Sequence, residues 1–393
     1  MRSITATLSP VLTQEFALQA SDLGLLGGGY FLGFAAMQLP LGAWLDQHGP
    51  KLVILWFLSL AVLGCVAFSS AGSFGWLLAA RVMVGMGVGA CLMAPLTGYR
   101  RWFDPPTLLR ANSWMLMTGS LGMLASTLPV QWLMPLTGWR PLFWILAAMI
   151  VLSMVVIWRV VPAWTSTSRA LLGGSAADSM ASAGSASSNS YREIWRNRFF
   201  RKMSPLAFFN YGGLVAVQTL WAGPWMVKVA GYTALESATG LFWINACMLV
   251  TFWSWGLLNP YLARHGWRAT RLIAWGVPLS LTALAFNIVL GAGCGWAGWA
   301  LFCIASSVLG LAQPAVGMAF RPSLAGRALS GYNLIIFSGV FVVQWGIGLL
   351  VDGFAERGMG TVTGFQAAMS VLLCCCVASY IYFLSVKVDN PQT

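Results

Sequence analysis

The chain is short of charge, and of acidic residues above all. Asp and Glu together supply 10 of its 393 residues, and charged residues of all types make up 8%, whereas a soluble domain carries roughly a quarter. So little charge does not cover the surface of a soluble core of this size. The sequence also has no P-loop for nucleotide phosphates, which argues against an ATP-driven pump. These absences argue against a soluble enzyme, a nucleic-acid binder or a disordered scaffold.

Cysteine and histidine are sparse as well, with 8 and 2 residues. The cysteines lie in or beside apolar segments and have no Cys or His partner at the spacing of metal ligands. We therefore predict no disulfide framework, no metal site and no cofactor.

Apolar residues dominate instead, at 58% with a mean hydropathy of +0.75. Lys and Arg cluster in every second gap between long apolar runs, as cytoplasmic loops do under the positive-inside rule. The sequence therefore predicts an all-α, multi-pass protein of the plasma (inner) membrane, with the central linker and the C-terminus cytoplasmic. Eleven runs are long enough to span a bilayer, at about 23–45, 51–70, 75–98, 109–135, 141–161, 204–228, 236–258, 270–291, 295–319, 324–350 and 363–386.

The stretch from Met1 to Phe16 is too short and too polar to span a bilayer alone. Two interpretations stay open, namely eleven spans with an outer N-terminus or a partial first helix. A segment rich in small residues, Gly173–Ser188, reads as a flexible linker. The basic stretch that follows it, Tyr191–Lys202, suits the surface of an anionic leaflet. The predicted organisation is an N-terminal helical region 1–161, a linker 162–202, a C-terminal helical region 203–387 and a tail 388–393.

The two regions share a weak internal repeat. An offset of 217 residues aligns Leu45–Lys51 with Leu262–Arg268, and the same offset aligns Arg110–Ser113 with Arg327–Ser330. Internal repeats with a substrate site between them are typical of secondary transporters. Two glycine patterns, Gly29-x-x-x-Gly33 and Gly85-x-x-x-Gly89, predict close contacts between helices.

Three motifs carry a family resemblance. Gly42–Lys51 is similar to the conserved loop between helices two and three of the major facilitator superfamily, and Arg81–Gly89 resembles the Arg-containing motif of its fourth helix. The opening Arg2–Pro10 resembles the end of helix one in organic-anion symporters of that superfamily. The resemblance implies two six-helix halves, here eleven complete spans and a partial first helix. The second half departs from the loop pattern at Asn259 and Ala263.

Arginines inside apolar runs and amides on several spans are the candidates for substrate binding or coupling. A charge at the depth of Arg81 is costly unless it faces a partner or water, so it either holds an anionic group or reaches the outer interface. For each amide, a hydrogen bond between helices is an equally good explanation, and for Trp221 a position in the interfacial belt is a fair alternative. The predicted residues are Arg81, Arg2, Gln218, Trp221, Asn245, Asn333 and Gln344.

The loop motif predicts a gate. Asp46 can pair with an arginine at the end of the fourth span or cap a helix, while Gly42 and Gly49 permit close helix approach and a tight turn. The alternative is an ordinary exit loop with a solvated carboxylate. The predicted gating residues are Gly42, Asp46, Gly49, Lys51, Arg100 and Arg101.

The sequence thus favours a secondary active transporter, not an enzyme, that moves a small organic anion by symport and alternating access. Proton-coupled efflux of hydrophobic drugs and a non-transporting membrane sensor are the alternatives. Because Asp and Glu are missing from the middle of every apolar run, a coupling proton stays an open question. The expected partners are a small-molecule substrate and the lipid bilayer, with no nucleic acid, and we expect a monomer.

Overall fold

The computed structural model describes residues 1–162 and 191–386, and within these ranges the chain is α-helical without β-strands. The centre of the predicted linker and the predicted tail 388–393 lie outside the described residues. The side chains of Asp46, Arg100 and Arg101 do too, so the pairing predicted for them stays a prediction.

The N-terminal part, residues 1–162, is a series of helices joined by short turns. Helix ends follow local chemistry: the Ser73 side chain accepts a hydrogen bond from the Trp76 amide at the start of one helix, and Gly138, at φ 72°, breaks the chain before another. The helices are α1 Ile4–Phe16, α2 Ala20–Ala36, α3 Gln38–Ser69, α4 Phe74–Val88, α5 Ala90–Trp102, α6 Pro105–Ala125, α7 Leu128–Thr137 and α8 Trp139–Val160. Within α3, Gly49 has non-helical backbone angles, φ 78° and ψ 163°, and divides the element into two helical stretches.

The C-terminal part, residues 191–386, contains longer helices and two π-helical turns, Ala207–Tyr211 and Val217–Trp221. The α-helices are α9 Arg198–Leu206, α10 Gly212–Ala216, α11 Ala222–Lys228, α12 Ala234–Arg264, α13 Ala269–Leu290, α14 Trp296–Ser306, α15 Ala312–Met318, α16 Pro322–Glu356 and α17 Thr361–Ser385.

Nine helical stretches of the described residues are long and apolar enough to cross a membrane. The predicted run 109–135 is not among them: one helix ends at Ala125 and another begins at Leu128, and the first of these contains Arg110 and Asn112. The predicted run 204–228 is helical throughout, but two π turns divide its α-helical stretches. The expected count of eleven complete spans is therefore not confirmed, although all-helical, multi-pass architecture is.

Helix α2 packs between α4 on one side and α16 on the other. A Cβ atom added to Gly85 of α4 would meet the Tyr30 carbonyl, and one added to Gly33 would meet the carbonyl of Val82. On the opposite side, one added to Gly24 would meet the backbone of Gln344 in α16. Glycine alone permits backbones to approach so closely, and the predicted glycine contacts are confirmed between α2 and α4.

The contact between α2 and α16 joins the N-terminal and C-terminal parts along much of the length of α2. Phe34 and Phe337 lie with ring centroids 4.4 Å apart, and Gly348 meets the backbone of Ala20 further along. We call the end of the bundle that contains residues 17–19 and 357–360 the outer end, and the end that contains residues 103–104 and 265–268 the inner end. The positive-inside distribution predicts that the outer end faces away from the cytoplasm.

Candidate functional site

Arg81 lies in the middle of α4 and is buried, with 1% of its surface exposed. Its Nη2 atom donates to the carbonyl oxygens of Met1 at 3.1 Å and Arg2 at 3.4 Å. Its guanidinium also lies over the Tyr30 ring of α2, 5.1 Å from the centroid. The Nε and Nη1 atoms have no hydrogen-bond partner among the described residues. Arg81 is therefore a buried cation with unused donors and no carboxylate beside it in the described part of the chain.

Arg2 approaches the same region from the start of α1, and its side chain is exposed. Its Nη2 atom lies 2.7 Å from the Met123 sulfur of α6. Arg2 therefore contacts α6 through its side chain and Arg81 through its carbonyl oxygen.

The break between α6 and α7 fixes the position of α1. The Ser3 hydroxyl lies 2.7 Å from that of Ser126, and the Thr7 hydroxyl donates to the Ser126 carbonyl at 3.0 Å. Polar contacts of this kind hold helices together in an apolar medium, where hydrophobic attraction between helices is weak. The two arginines are thus brought together by a helix break that the apolar pattern did not reveal.

Four of the other predicted residues form one buried group in the C-terminal part. Gln218 donates to the Asn245 side-chain oxygen at 3.0 Å, which ties the second π turn to α12. Gln344 of α16 donates to the Thr219 hydroxyl at 3.0 Å, and Trp221 donates to the Gln344 carbonyl at 3.0 Å. We call Gln218, Trp221, Asn245 and Gln344 the amide group. In this structure the donors of Gln218, Trp221 and Gln344 bind neighbouring helices, whereas the Asn245 Nδ2 atom donates to the Leu241 carbonyl of its own helix. The Gln344 Oε1 acceptor has no partner among the described residues.

Asn333 lies apart from the amide group, about three turns earlier on α16. Its oxygen accepts a hydrogen bond from Gln313 of α15 at 2.7 Å. Its Nδ2 donor is buried and has no partner in the described ranges 1–162 and 191–386. Among the described residues, Asn333 therefore has one donor nitrogen without a hydrogen-bond partner, and Arg81 has two.

Helix α2 separates the arginines from the amide group. Tyr30 and Gly33 face α4 and Arg81, whereas a Cβ added to Gly27 would meet Leu220 and the Gln344 side chain. The structure thus brings Arg2 and Arg81 together, and it brings four of the five polar C-terminal candidates together. Neither of the two crevices described within residues 1–162 and 191–386 is lined by residues of both sets.

The described residues of the predicted gating loop show mixed geometry. Gly49 has φ 78°, a conformation that favours glycine, as a tight turn requires. Gly42 has open space where a Cβ would lie, so the close approach expected there is absent from this structure. Lys51 donates to the Val161 carbonyl at 2.7 Å and lies over the Trp158 ring. Lys51 therefore connects α3 to the end of α8.

Several contacts were not predicted from the sequence. Tyr30 is a polar residue of its apolar run, but nothing in the sequence indicates that its ring lies beneath the Arg81 guanidinium. The π turns that carry Tyr211 and Gln218 have no simple sequence signature, although π turns often occur at functional sites. Nothing in the sequence indicates that Asp352 of α16 accepts hydrogen bonds from the backbone amides of Ala20 and Ser21 in α2.

These features define a class of protein before any comparison. Apolar helices in two parts, polar side chains buried between them and an unpaired cation at mid-helix depth are typical of polytopic transporters. Within the described residues, no group of three or more His, Cys, Asp or Glu side chains could hold a metal ion. The comparisons with known proteins agree with this class.

The chain belongs to the Major Facilitator Superfamily, whose family model matches residues 1–343. It is similar to the hexuronate transporter of Escherichia coli (strain K12), with 27% identity over 148 residues, covering 38% of this chain and 34% of that protein. It is also similar to the 4-hydroxybenzoate transporter of Pseudomonas aeruginosa, with 28% identity over 154 residues, covering 39% and 34%. The matched segment thus spans about a third of the length of these relatives.

Solved structures show the same fold along the whole chain. A D-xylose–proton symporter has a TM-score of 0.78 and 12% identity, covering 100% of this chain and 95% of that one. A bacterial homologue of the lysosomal transporter Spinster, inward-facing and unoccupied, has a TM-score of 0.75 and 19% identity, covering 98% and 92%. At these identities the likeness shows the fold, and the curated relatives named above are transporters rather than enzymes.

Proposed function

We propose that this protein is a secondary active transporter of a small organic anion, driven by symport and working by alternating access. The single observation that carries the proposal is the buried Arg81 guanidinium, which has two unused donors and no carboxylate partner in the described residues. An unpaired buried charge is costly, so a site of this kind is stabilised by an anion that enters it.

The relatives support an anionic substrate. Two of them are named as transporters of hexuronate and 4-hydroxybenzoate. A third, 28% identical over 141 residues, carries the name probable sulfoacetate transporter. These anions differ in the rest of the molecule, but each carries a carboxylate, and sulfoacetate carries a sulfonate as well. A fixed cation with adaptable surroundings suits such a set, because a guanidinium binds carboxylate and sulfonate oxygens through paired N–H donors.

In this proposal, Arg2 and Arg81 have different roles in binding the anion. Arg2 is exposed and meets the anion first, while the buried Arg81 supplies the charge beneath it. The amide group and Asn333 contact the polar remainder of the substrate after the parts move, because their hydrogen bonds can be exchanged for bonds to hydroxyl groups. The loop Gly42–Lys51, with Arg100 and Arg101, gates the inner end.

The remaining expectations complete the proposal. Two six-helix halves rock about the site, the regions 1–161 and 203–387 correspond to them, and the linker and tail are cytoplasmic in the inner membrane. The protein acts as a monomer, with a proton as the coupling ion.

The test is a thermal-shift panel on the purified full chain in detergent. The panel contains monocarboxylates, sugar acids, aromatic acids and sulfonates, set against lipophilic cations. A ligand that binds the folded state raises the melting temperature by mass action. At a ligand concentration one hundred times Kd, the free energy of unfolding increases by about 2.7 kcal/mol. We expect one anion class to raise the melting temperature, and we expect Arg81→Gln to remove that response.

The matched control is Arg140→Gln, which removes an arginine that already has a carboxylate partner, Glu15 at 2.7 Å. This variant should keep the anion response. A response to lipophilic cations alone, indifferent to Arg81, would refute anion transport and favour drug efflux.

A further inference from the structure

A crevice of about 500 Å³ lies at the inner end of the bundle and is lined by Arg192, Glu193, Arg196 and Asn197. Its position follows from Glu193, whose carboxylate pairs with Arg321 at 3.1 Å. Arg321 immediately precedes α16, and the other end of that helix reaches the outer end of the bundle. The crevice therefore opens on the side to which the positive-inside distribution assigns the cytoplasm.

The positive charge of this crevice is only partly neutralised. Between positions 191 and 202 the chain has five basic residues and one acidic residue, Glu193, and Arg321 binds that carboxylate. Arg192 and Arg196 are exposed, and neither forms an ion pair within the described part of the chain. Two guanidinium groups are therefore available to an anion that enters the crevice.

The backbone holds these two arginines side by side. Residues 191–196 form one helical stretch, in which positions four apart lie on the same face, so Arg192 and Arg196 are neighbours. Ile194, on the other face, is fully buried. Asn197 ends the stretch and accepts hydrogen bonds from two backbone amides at the start of α9. The pair of arginines is therefore presented by a backbone that is anchored to the C-terminal part.

An anionic phospholipid fits the two arginines and their surroundings. A guanidinium binds phosphate oxygens through paired N–H donors, and basic clusters beside the cytoplasmic end of a spanning helix bind anionic lipid headgroups. Trp195 is 42% exposed, and its ring packs on that of Phe200 with centroids 5.3 Å apart. Exposed tryptophan is typical of the headgroup level of a bilayer, so the crevice lies where lipid phosphates are found.

We propose that Arg192 and Arg196 bind the headgroup phosphate of an anionic phospholipid and thereby attach the start of the C-terminal part to the inner leaflet. The phosphate supplies the anionic partner that both arginines lack in the described residues. Arg198 and Arg201 are also exposed and raise the local positive potential, which favours a lipid of net negative charge over a zwitterionic one. The inference concerns the bilayer and is independent of the transported solute.

The experiment is native mass spectrometry of the full chain in detergent, titrated with phosphatidylglycerol or with phosphatidylcholine. Phosphatidylcholine carries the same phosphate without net charge, so we expect it to bind more weakly. Each arginine near an anionic lipid contributes about 5-fold in affinity, so the double variant Arg192→Gln/Arg196→Gln should weaken binding of the first phosphatidylglycerol about 10- to 30-fold. Equal affinity of the unchanged protein for both lipids would refute selection of an anionic headgroup.

The matched control is Arg264→Gln/Arg268→Gln, which removes the same charge from another exposed basic stretch at the inner end. It should leave the affinity for the first phosphatidylglycerol nearly unchanged. An equal loss in both double variants would show that the lipid responds to total charge alone, and it would refute a site at Arg192 and Arg196.

A variant with the opposite expected sign guards against misfolding. Glu193→Gln removes the carboxylate that lines the crevice and releases Arg321 from its ion pair. The gain of one positive charge should tighten phosphatidylglycerol binding about 5-fold, whereas misfolding would weaken it. Unchanged or weaker binding in this variant would overturn the electrostatic argument for the site.

Soluble competitors distinguish a lipid headgroup from a free phosphate. Inorganic phosphate and glycerol 3-phosphate, added at the concentration of the lipid, should not displace phosphatidylglycerol, because neither enters the micelle surface beside Trp195. Displacement by either would assign the two arginines to a soluble phosphate and overturn the lipid site. Neither result bears on anion transport, which the thermal-shift panel tests through Arg81.

Discussion

Replacing Arg81 by methionine is expected to stabilise the protein while removing its response to anions. Methionine fills a similar elongated volume without charge. In most buried sites, loss of an arginine leaves a partner carboxylate unpaired, and the protein is weakened. Arg81 has no such partner in the described residues, so its removal leaves no uncompensated charge behind.

The magnitude follows from the contacts of Arg81. A central arginine costs about 2.5–3.5 kcal/mol on the membrane-insertion scale, and methionine avoids that cost. Against this, the change loses hydrogen bonds at 3.1 and 3.4 Å, worth roughly 0.6 kcal/mol each in a membrane protein. It also loses the contact with the Tyr30 ring, worth roughly 0.5–1 kcal/mol. The balance favours methionine by about 1 kcal/mol.

The assay is reversible unfolding in mixed micelles by titration with a denaturing detergent, which gives a free energy of unfolding for each variant. Arg140→Met is the control, because it breaks the ion pair between Arg140 and Glu15, whose side chains are 43% and 35% exposed. This variant should lower the free energy of unfolding by up to about 1 kcal/mol. Opposite signs for the two variants are expected. Destabilisation by Arg81→Met would refute the view that Arg81 is kept for a ligand at a cost in stability.

Two further predictions concern packing and the amide group. Gly85→Ala places a methyl group against the Tyr30 carbonyl and should destabilise the protein by about 1–3 kcal/mol. In Gly42→Ala the methyl group meets open space, so this variant should be neutral or stabilise the protein by up to about 1 kcal/mol. The same unfolding titration compares the two variants, and equal effects would contradict the assigned packing. A double-mutant cycle of Gln218→Leu and Asn245→Leu should give a coupling of about 0.6–1.7 kcal/mol, and additive effects would show that the hydrogen bond between them contributes nothing to stability.

Local features of the fold were predictable from sequence because they depend on local patterns. Apolar runs locate most helices, and the spacing of Gly29, Gly33 and Gly85 predicts the contact between α2 and α4, since small residues at that interval give a helix a flat face. Arg81 stands out for a similar reason: a charge inside an apolar run has a cost that a single sequence reveals.

The remaining features depend on tertiary structure. Hydropathy averages over a window, so it does not register the hydroxyl-lined break at Ser126 and Thr127 or the two π turns. The partners of each amide lie on other helices, which is why sequence alone left substrate contact and helix contact equally open. The hydrogen bonds between Asp352 and the start of α2 depend on how two whole helices are arranged. No sequence pattern near either site predicts them.

The position of α2 connects the arginine site to the seam between the two parts of the molecule. Backbone contact at Gly33 and Gly85 ties α2 to α4, so Arg81 moves with α2 when the two parts separate. Across the seam, α2 meets α16 through the backbone at Gly24 and Gly348 and through the rings of Phe34 and Phe337. In the proposed alternating access, separation of the two parts therefore moves Tyr30 and Arg81 together.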